Sequence, residues 1–214
     1  FWVERTVRPV YKVKQDEQAL SATLVQAPST PVILPGCIAG ESLLSQIIVD
    51  KFLYHLPEYR QAKRFKELGV EISTSSMNRW VHATADKLHG LYAAQMERVL
   101  SAGYIQVDET THSITDRPGS ARKGYIWVVR SVLVPGVFFY YDKGSRSGEV
   151  VLKMLKGYQG ALQTDGYAAY SIFEEKKGVL PLGCMAHVRR KFEHALTTTP
   201  EAKPALDYIA LLYM

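Results

Sequence analysis

The stretch "GALQTDGYAAY", residues 160–170, is a short apolar run that reaches one carboxylate, Asp165, and breaks at once on a glycine. An earlier stretch, "GYIQVDETTH" at residues 103–112, repeats the arrangement, because an alternating pattern runs into Asp108. Apolar and polar residues that alternate over several positions indicate a β-strand. The sequence therefore places an aspartate at the end of two separate predicted strands.

The order of the elements around these two stretches predicts the fold class. After Gly103 the hydrophobic period changes from 3.6 to 2. The order β-β-β-α-β-α-β-α is that of the ribonuclease-H-like α/β fold, in which the first strand is central and the fourth lies beside it. We therefore expect Asp108 and Asp165 to converge. The segments, in order, are the strands "YIQVDET", "GYIWVVRSV" and "GVFFYYD", helix "SGEVVLKMLKG", strand "ALQTD", helix "GYAAYSIFEEKKG", strand "VLPLGCMA" and helix "RRKFEHAL".

Two converging carboxylates indicate a metal site. They repel each other in a partly dry cleft unless a cation lies between them. Mg²⁺ binds one or two carboxylates together with water and substrate phosphate oxygens. Two such ions about 4 Å apart promote in-line displacement at a phosphodiester. A single aspartate at a strand end is more often a cap or turn residue, but the pair favours a catalytic, metal-binding role for Asp108 and Asp165. Glu109 points to the opposite face and is expected to partner a neighbouring loop.

The part of the chain before Gly103 is predicted to contain an arm and a helical region. Residues 1–36 have no helical period, residues 37–102 are helical, and residues 103–214 form the catalytic domain. "YRQAKRFKELG", a short turn and "STSSMNRWV" resemble a helix-turn-helix, with an ordinary helix pair as the alternative. Trp80 is expected in the core. The residues predicted to contact DNA are Arg60, Lys63, Arg64, Ser75, Asn78 and Arg79.

The segment "GCMAHVRRKF", residues 183–192, carries two further signals. Cys184 and His187 form a C-x-x-H motif, but structural zinc needs about four ligands and the chain offers no second pair. Arg189, Arg190 and Lys191 fall at a predicted helix start, where positive charge opposes the helix dipole. A phosphate contact would explain this basic cluster, and a solvated helix face is the alternative.

Composition indicates an ordinary globular protein with an acidic partner. The chain has 214 residues, 47% of them apolar, and a net charge of +5. No apolar run approaches the ~20 residues of a membrane helix, and no signal-peptide pattern begins the chain. Cys37 and Cys184 have no disulfide spacing, so we expect reduced thiols in a cytoplasmic protein. A start without methionine and an end within an apolar helical pattern suggest part of a longer protein.

Five motifs together carry a family resemblance: "LPEYRQAKRFKELGVEIS", "VDET", "GYIWVVR", "LQTDGYAAY" and "GCMAHVRRKF". In this order and spacing they resemble the transposases of insertion-sequence family sixty-six, from about residue 36 to residue 214. The resemblance implies a DDE enzyme that uses Asp, Asp and Glu with Mg²⁺ or Mn²⁺ to cut and join DNA ends. It implies that Asp108 is the first acid and Asp165 the second. It also implies a nucleoid-associated homo-oligomer assembled on terminal inverted repeats. Several DDE superfamilies place a similar C-x-x-H after the second acid.

The chain departs from the family pattern in two places. The zinc-finger-like segment of the family has no cysteines here, where "YKVKQDEQAL" stands at residues 11–20. The family's glutamate is expected beyond residue 214, past a helical insertion, and Glu193 could replace it by spacing alone. Three interpretations follow. The chain is a transposase fragment without its third acid, a self-contained ribonuclease-H-like nuclease that uses Glu193, or a DNA-binding remnant without catalysis.

Overall fold

A computed structural model describes residues 1–12, 24–117 and 119–214. The chain divides into two compact units, an N-terminal unit Phe1–His89 and a C-terminal unit Gly90–Met214. The predicted zinc-finger-like remnant at residues 11–20 lies, apart from its first two residues, outside the described part of the chain. The predicted domain limits at residues 36 and 102 stay predictions.

The N-terminal unit is built mainly from helices with one buried apolar face. Helices α1 and α2 pack with the beginning of α3, and Trp80 lies in their core, as predicted. Met77 is completely buried in the same core, to which Phe65 also belongs. A short antiparallel pair of exposed strands precedes the helices. The elements are β1 (Val10–Lys12), β2 (Leu24–Gln26), α1 (Glu41–Phe52), α2 (Glu58–Glu67) and α3 (Thr74–Leu100).

The connection between α2 and α3 bears on the predicted helix-turn-helix. Ser73 caps α3, because its hydroxyl accepts a hydrogen bond from the Ser76 amide at 3.1 Å. The connection covers residues 68–73 and is longer than the roughly 3–4-residue turn typical of that motif. The helices are therefore present where the sequence predicts them, while the helix-turn-helix interpretation stays a prediction.

The C-terminal unit contains a five-stranded mixed sheet in the order β5-β4-β3-β6-β7. Strand β3 is central, pairs antiparallel with β4 and pairs parallel with β6. The predicted adjacency of the first and fourth strands of this unit is confirmed, and the sheet is consistent with a ribonuclease-H-like domain. Its elements are β3 (Tyr104–Arg117), β4 (Ser120–Ser131), β5 (Val137–Tyr140), α4 (Gly148–Met154), β6 (Gly160–Thr164), a 3₁₀ helix (Ala168–Phe173), β7 (Val179–Gly183), α5 (Met185–Leu196), a second 3₁₀ helix (Pro200–Ala202) and α6 (Lys203–Leu211).

A close backbone approach sets the register of β6 against β3. Gly160 has φ +130°, and a Cβ there would lie 2.4 Å from the carbonyl oxygen of Gly103. The amide of the next residue, Ala161, donates to that same carbonyl at 2.8 Å. Only glycine allows the strands to meet this closely. The resulting register pairs Gln106 with Gln163.

Three sequence-based expectations for this unit are wrong in detail. Strand β3 continues to Arg117, because it pairs with β4 well beyond the predicted segment "YIQVDET". The segment after Asp165 forms a 3₁₀ helix instead of an α-helix, and its three residues per turn bring Tyr170 and Phe173 onto one buried face. Helix α5 begins at Met185 and not at the predicted Arg189, because the strand before it already ends at Gly183.

The early start of α5 also corrects the interpretation of the basic cluster. Arg189, Arg190 and Lys191 lie in the second turn of the helix. The unfavourable interaction with the helix dipole applies within the first turn, so this argument for a phosphate contact is wrong.

Candidate metal centre

The two predicted acids follow equivalent positions on neighbouring parallel strands. Asp108 lies two residues beyond Gln106, and Asp165 lies two residues beyond its register partner Gln163. Side chains two residues apart in a strand share a face of the sheet. The parallel pairing of β3 with β6 therefore brings both carboxylates to the same face of the sheet, just beyond the last paired residues.

A histidine completes this arrangement. Ligand atoms of Asp108, Asp165 and His187 all lie within 4.8 Å of one another. Asp108 is exposed and the other two residues are half-buried, so the group is open to solvent on one side. All three line a cavity of ≈ 220 Å³. We refer to these three residues as the metal centre.

Each carboxylate of the metal centre is oriented by a nearby backbone amide. The Glu109 amide donates to Asp108 Oδ1 at 2.9 Å, and the Tyr167 amide donates to Asp165 Oδ1 at 2.8 Å. The second contact closes a turn through Gly166, whose φ of +81° is in the left-handed region that favours glycine. One oxygen of each carboxylate is thereby fixed by the backbone.

The position of His187 follows from the start of α5. Cys184 is the N-cap residue, and its amide donates to the Thr164 carbonyl at 2.9 Å, beside Asp165. His187 lies three residues later, on the first turn of the helix, and both residues line the cavity. Cys184 is not one of the three clustered ligand groups. The C-x-x-H motif thus contributes its histidine to the cluster and its cysteine to the helix cap.

The donor set fits a divalent cation. His187 Nδ1 is buried and has no hydrogen-bond partner among the residues that the structure describes. Buried polar atoms are nearly always satisfied, so an imidazole left in this way beside two carboxylates suits a ligand. Carboxylate oxygens are preferred by Mg²⁺ and Mn²⁺, and a nitrogen donor raises affinity for Mn²⁺ more than for Mg²⁺.

A polar ladder next to the metal centre was not anticipated from the sequence. Gln163 Oε1 accepts hydrogen bonds from Gln106 Nε2 at 2.7 Å and from the Tyr104 hydroxyl at 3.0 Å. Gln163 Nε2 donates to the Gly183 carbonyl at 3.2 Å, so the ladder crosses strands β3, β6 and β7. A signal for it exists: the pattern Q-x-D occurs in both strands, ending on Asp108 and on Asp165.

The predicted basic cluster divides into two parts. Arg190 and Lys191 line a second cavity of ≈ 240 Å³, whose wall also includes Asp165 and His187. Arg189 instead pairs with Glu193 at 2.9 Å. Glu193 is not among the residues that line either cavity.

The predicted DNA contacts of the helical unit differ in their surroundings. Arg60, Lys63, Asn78 and Arg79 are exposed, while Arg64 pairs with the buried carboxylate of Asp50. Arg60 Nε also donates to its neighbour, the Tyr59 hydroxyl, at 3.0 Å, and Asn78 Nδ2 donates to Glu58 at 3.4 Å. Their role in binding DNA stays a prediction. Within the described ranges, no helix has both the length and the apolar character needed to cross a bilayer.

Comparisons with known proteins identify relatives of this chain and its family. Three proteins of Sinorhizobium fredii (strain NBRC 101917 / NGR234) are similar to the chain. They are uncharacterized protein y4jD (31% identity, 99% of this chain and 43% of that protein), y4qI (32%, 79% and 34%) and y4hP (33%, 90% and 36%). The chain thus spans less than half the length of each. Residues 36–214 match the family described as "Transposase IS66 family". The chain belongs to this transposase family.

Proposed function

We propose that this chain carries the metal-binding acids of a DDE-type transposase that cuts and joins DNA at the ends of an insertion sequence. The observation that carries the proposal is the meeting of Asp108, Asp165 and His187 within 4.8 Å, just beyond the last paired residues of β3 and β6. Family membership supports the reaction class, and the charge of the neighbouring cavity suits a phosphate backbone. DNA is therefore the proposed substrate and partner.

The residues of the metal centre have separate tasks in this proposal. Asp108 and Asp165 would hold Mg²⁺ or Mn²⁺ through their carboxylates, and His187 would add a nitrogen ligand. A cation held there supplies Lewis-acid activation of the phosphodiester and of the attacking hydroxyl. Arg190 and Lys191 line the adjacent cavity and would hold DNA phosphate oxygens near Asp165.

The ion pair of Glu193 bears on the choice between a transposase and a self-contained nuclease. Glu193 pairs with Arg189 on the same helix, and its side chain is 46% exposed. A carboxylate directed along the helix surface is poorly suited to complete the metal centre. This favours the transposase interpretation, in which another acid takes the third position.

Metal binding tests the proposal directly. We expect the 214-residue chain to bind Mn²⁺ in calorimetric titrations. Asp108→Ala or Asp165→Ala should lower the affinity by at least about 100-fold, beyond the 10–100-fold that loss of an outer-shell partner costs. His187→Ala should reduce Mn²⁺ affinity more than Mg²⁺ affinity, because imidazole favours the transition metal.

A matched control is available on the same strand. Asp116 is exposed on β3 and pairs with Arg122 at 2.6 Å, far along the strand from Asp108. Asp116→Ala should leave Mn²⁺ binding unchanged. Unchanged binding in the Asp108→Ala/Asp165→Ala double variant would refute the metal centre. No binding by the parent chain would favour the DNA-binding remnant instead.

The salt dependence of DNA binding tests the helical unit. If Arg60 and Arg79 each contact a phosphate, replacing both by glutamine should flatten the slope of log affinity against log salt by about 1.8, at ~0.9 per contact. Fluorescence anisotropy with duplex DNA measures the slope at several salt concentrations. Lys156→Gln/Lys177→Gln removes the same charge from exposed turns of the other unit. Equal slopes for the two double variants would move the DNA surface away from α2 and α3.

A further inference from the structure

The two carboxylates of the metal centre are connected through residues that do not belong to it. The amide that orients Asp108 comes from Glu109, and the amide that orients Asp165 comes from Tyr167. The side chains of Glu109 and Tyr167 both contact Arg146, which lies in the loop between β5 and α4. We refer to Glu109, Arg146 and Tyr167 as the Arg146 bridge.

The Glu109 end of the bridge is a buried ion pair. The Glu109 side chain is 3% exposed, whereas Arg146 is 35% exposed. Arg146 donates to Glu109 Oε1 from Nε at 2.7 Å and also from its Nη2 group. The other oxygen, Oε2, accepts a hydrogen bond from the Tyr170 hydroxyl at 3.0 Å. Both carboxylate oxygens therefore have partners, as a buried charge requires.

Tyr170 strengthens this end of the bridge. Its ring meets the buried Trp127 edge-on, with ring centroids 6.1 Å apart. Burial, followed by the neighbouring Glu109 carboxylate, raises the pKa of Tyr170 far above its ordinary value. The hydroxyl therefore keeps its proton and remains a donor to Glu109.

The Tyr167 end of the bridge is a cation–π contact. The guanidinium carbon of Arg146 lies 3.7 Å from the centroid of the Tyr167 ring and 5.2 Å from that of Tyr125. A planar guanidinium can stack on an aromatic ring while its edge binds a carboxylate, which the lysine ammonium cannot do. Arg146 thereby links strand β3 to the turn that carries Asp165.

We propose that Arg146 is a positioning residue for the metal centre: by joining Glu109 to Tyr167, it sets the separation of the Asp108 and Asp165 carboxylates. The inference rests on the proposed function, since it assigns Arg146 a task at the same site. Arg146 acts by holding the backbone at Glu109 and Tyr167, next to the two aspartates, and is not itself a ligand.

Metal affinity and stability, measured on the same variants, test this role. Arg146→Met should lower Mn²⁺ affinity in calorimetry by about 10–100-fold, the range for outer-shell partners of metal ligands. Tyr167→Leu should lower it similarly, while Tyr167→Phe, which keeps the ring, should retain the parent affinity. Arg122→Met removes an arginine from another ion pair of the same unit and should have no effect on Mn²⁺. Urea unfolding without metal shows how much of each variant is folded.

A second readout does not depend on metal. In a chain with Cys37→Ser and Cys184→Ala, the substitutions Asp108→Cys and Asp165→Cys place thiols at the two positions. The effective concentration of one thiol at the other, measured against glutathione, reports their separation. Adding Arg146→Met should lower this effective concentration, whereas adding Arg122→Met should leave it unchanged.

The outcomes separate the two proposals. If the parent chain binds no Mn²⁺, the proposed function fails, and the thiol measurement alone decides the role of Arg146. The positioning role is overturned if folded Arg146→Met keeps the parent Mn²⁺ affinity and also keeps the parent effective concentration of the two thiols. Should Arg146→Met fail to fold, Arg146→Lys takes its place. Lysine keeps the charge but lacks the planar guanidinium that stacks on the Tyr167 ring. The same losses of Mn²⁺ affinity and of effective thiol concentration are therefore expected.

Discussion

Trp127→Ala is expected to lower the free energy of unfolding by about 3–5 kcal/mol, the range for truncating a large aromatic residue in a core. Trp127 lies on strand β4 of the five-stranded sheet and is completely buried. Its indole nitrogen donates to the Ser145 carbonyl at 3.1 Å, and its ring packs against Tyr170. Alanine would leave a cavity and an unpaired carbonyl one residue before Arg146.

Urea unfolding of the whole chain, followed by far-ultraviolet circular dichroism, measures this effect. Phe139→Ala is the control, because Phe139 lies on the adjacent strand β5 and is 59% exposed. Exposed positions usually change stability by about 0.5 kcal/mol or less. Similar losses for the two variants would contradict the assignment of Trp127 to the core. Addition of Mn²⁺ should restore part of the stability lost in Trp127→Ala, because binding stabilises the folded state.

Arg64→Ala is expected to lower the free energy of unfolding of the N-terminal unit by about 2–3 kcal/mol. Breaking a fully buried ion pair costs more, ~3–5 kcal/mol. The Asp50 carboxylate is buried and pairs with Arg64, which is itself 42% exposed. Gln46 Nε2 donates to the other Asp50 oxygen at 2.7 Å and would remain after the substitution. The partial exposure and the remaining hydrogen bond explain the reduced cost.

This result separates a structural role of Arg64 from a DNA contact. Lys63→Ala, at the adjacent exposed position of α2, is the control and should leave unfolding by urea nearly unchanged. If the two variants are equally stable, the ion pair contributes nothing and Arg64 is available for phosphate. If Arg64→Ala is less stable, weaker DNA binding by that variant is not sufficient to assign a phosphate contact.

The sheet could be predicted because its signals are local and regular. Period-2 patterns before Asp108 and Asp165, with a helix between them, define the strands and their parallel pairing. The length of β3 could not be predicted in the same way, because residues 110–117 are mostly polar and depend on pairing with β4. The 3₁₀ helix likewise depends on burying Tyr170 and Phe173 together, which is a tertiary effect.

The parts of the candidate site that can be predicted are those whose position in space follows from their position along a strand. The two aspartates follow this rule, because the strand order makes β3 and β6 neighbours and each aspartate lies two residues after a paired glutamine. His187 was assigned only to a motif of unknown role, since its approach depends on where α5 begins. The Arg146 bridge could be anticipated only for Glu109, whose predicted partner in a neighbouring loop is Arg146. No spacing rule relates a loop arginine to a tyrosine ring elsewhere.

The close approach of Gly160 to Gly103 also constrains how this chain can change its length. Parallel pairing of β3 with β6 is limited to Tyr104–Gln106 and Ala161–Gln163. Inserting or deleting one residue between Gly160 and Asp165 would turn the second carboxylate to the other face of the sheet. The turn at residues 174–177 lies between Asp165 and His187 in sequence, belongs to no strand, and has no such register to keep. Length variation compatible with a working metal centre is therefore expected in that turn and excluded from β6.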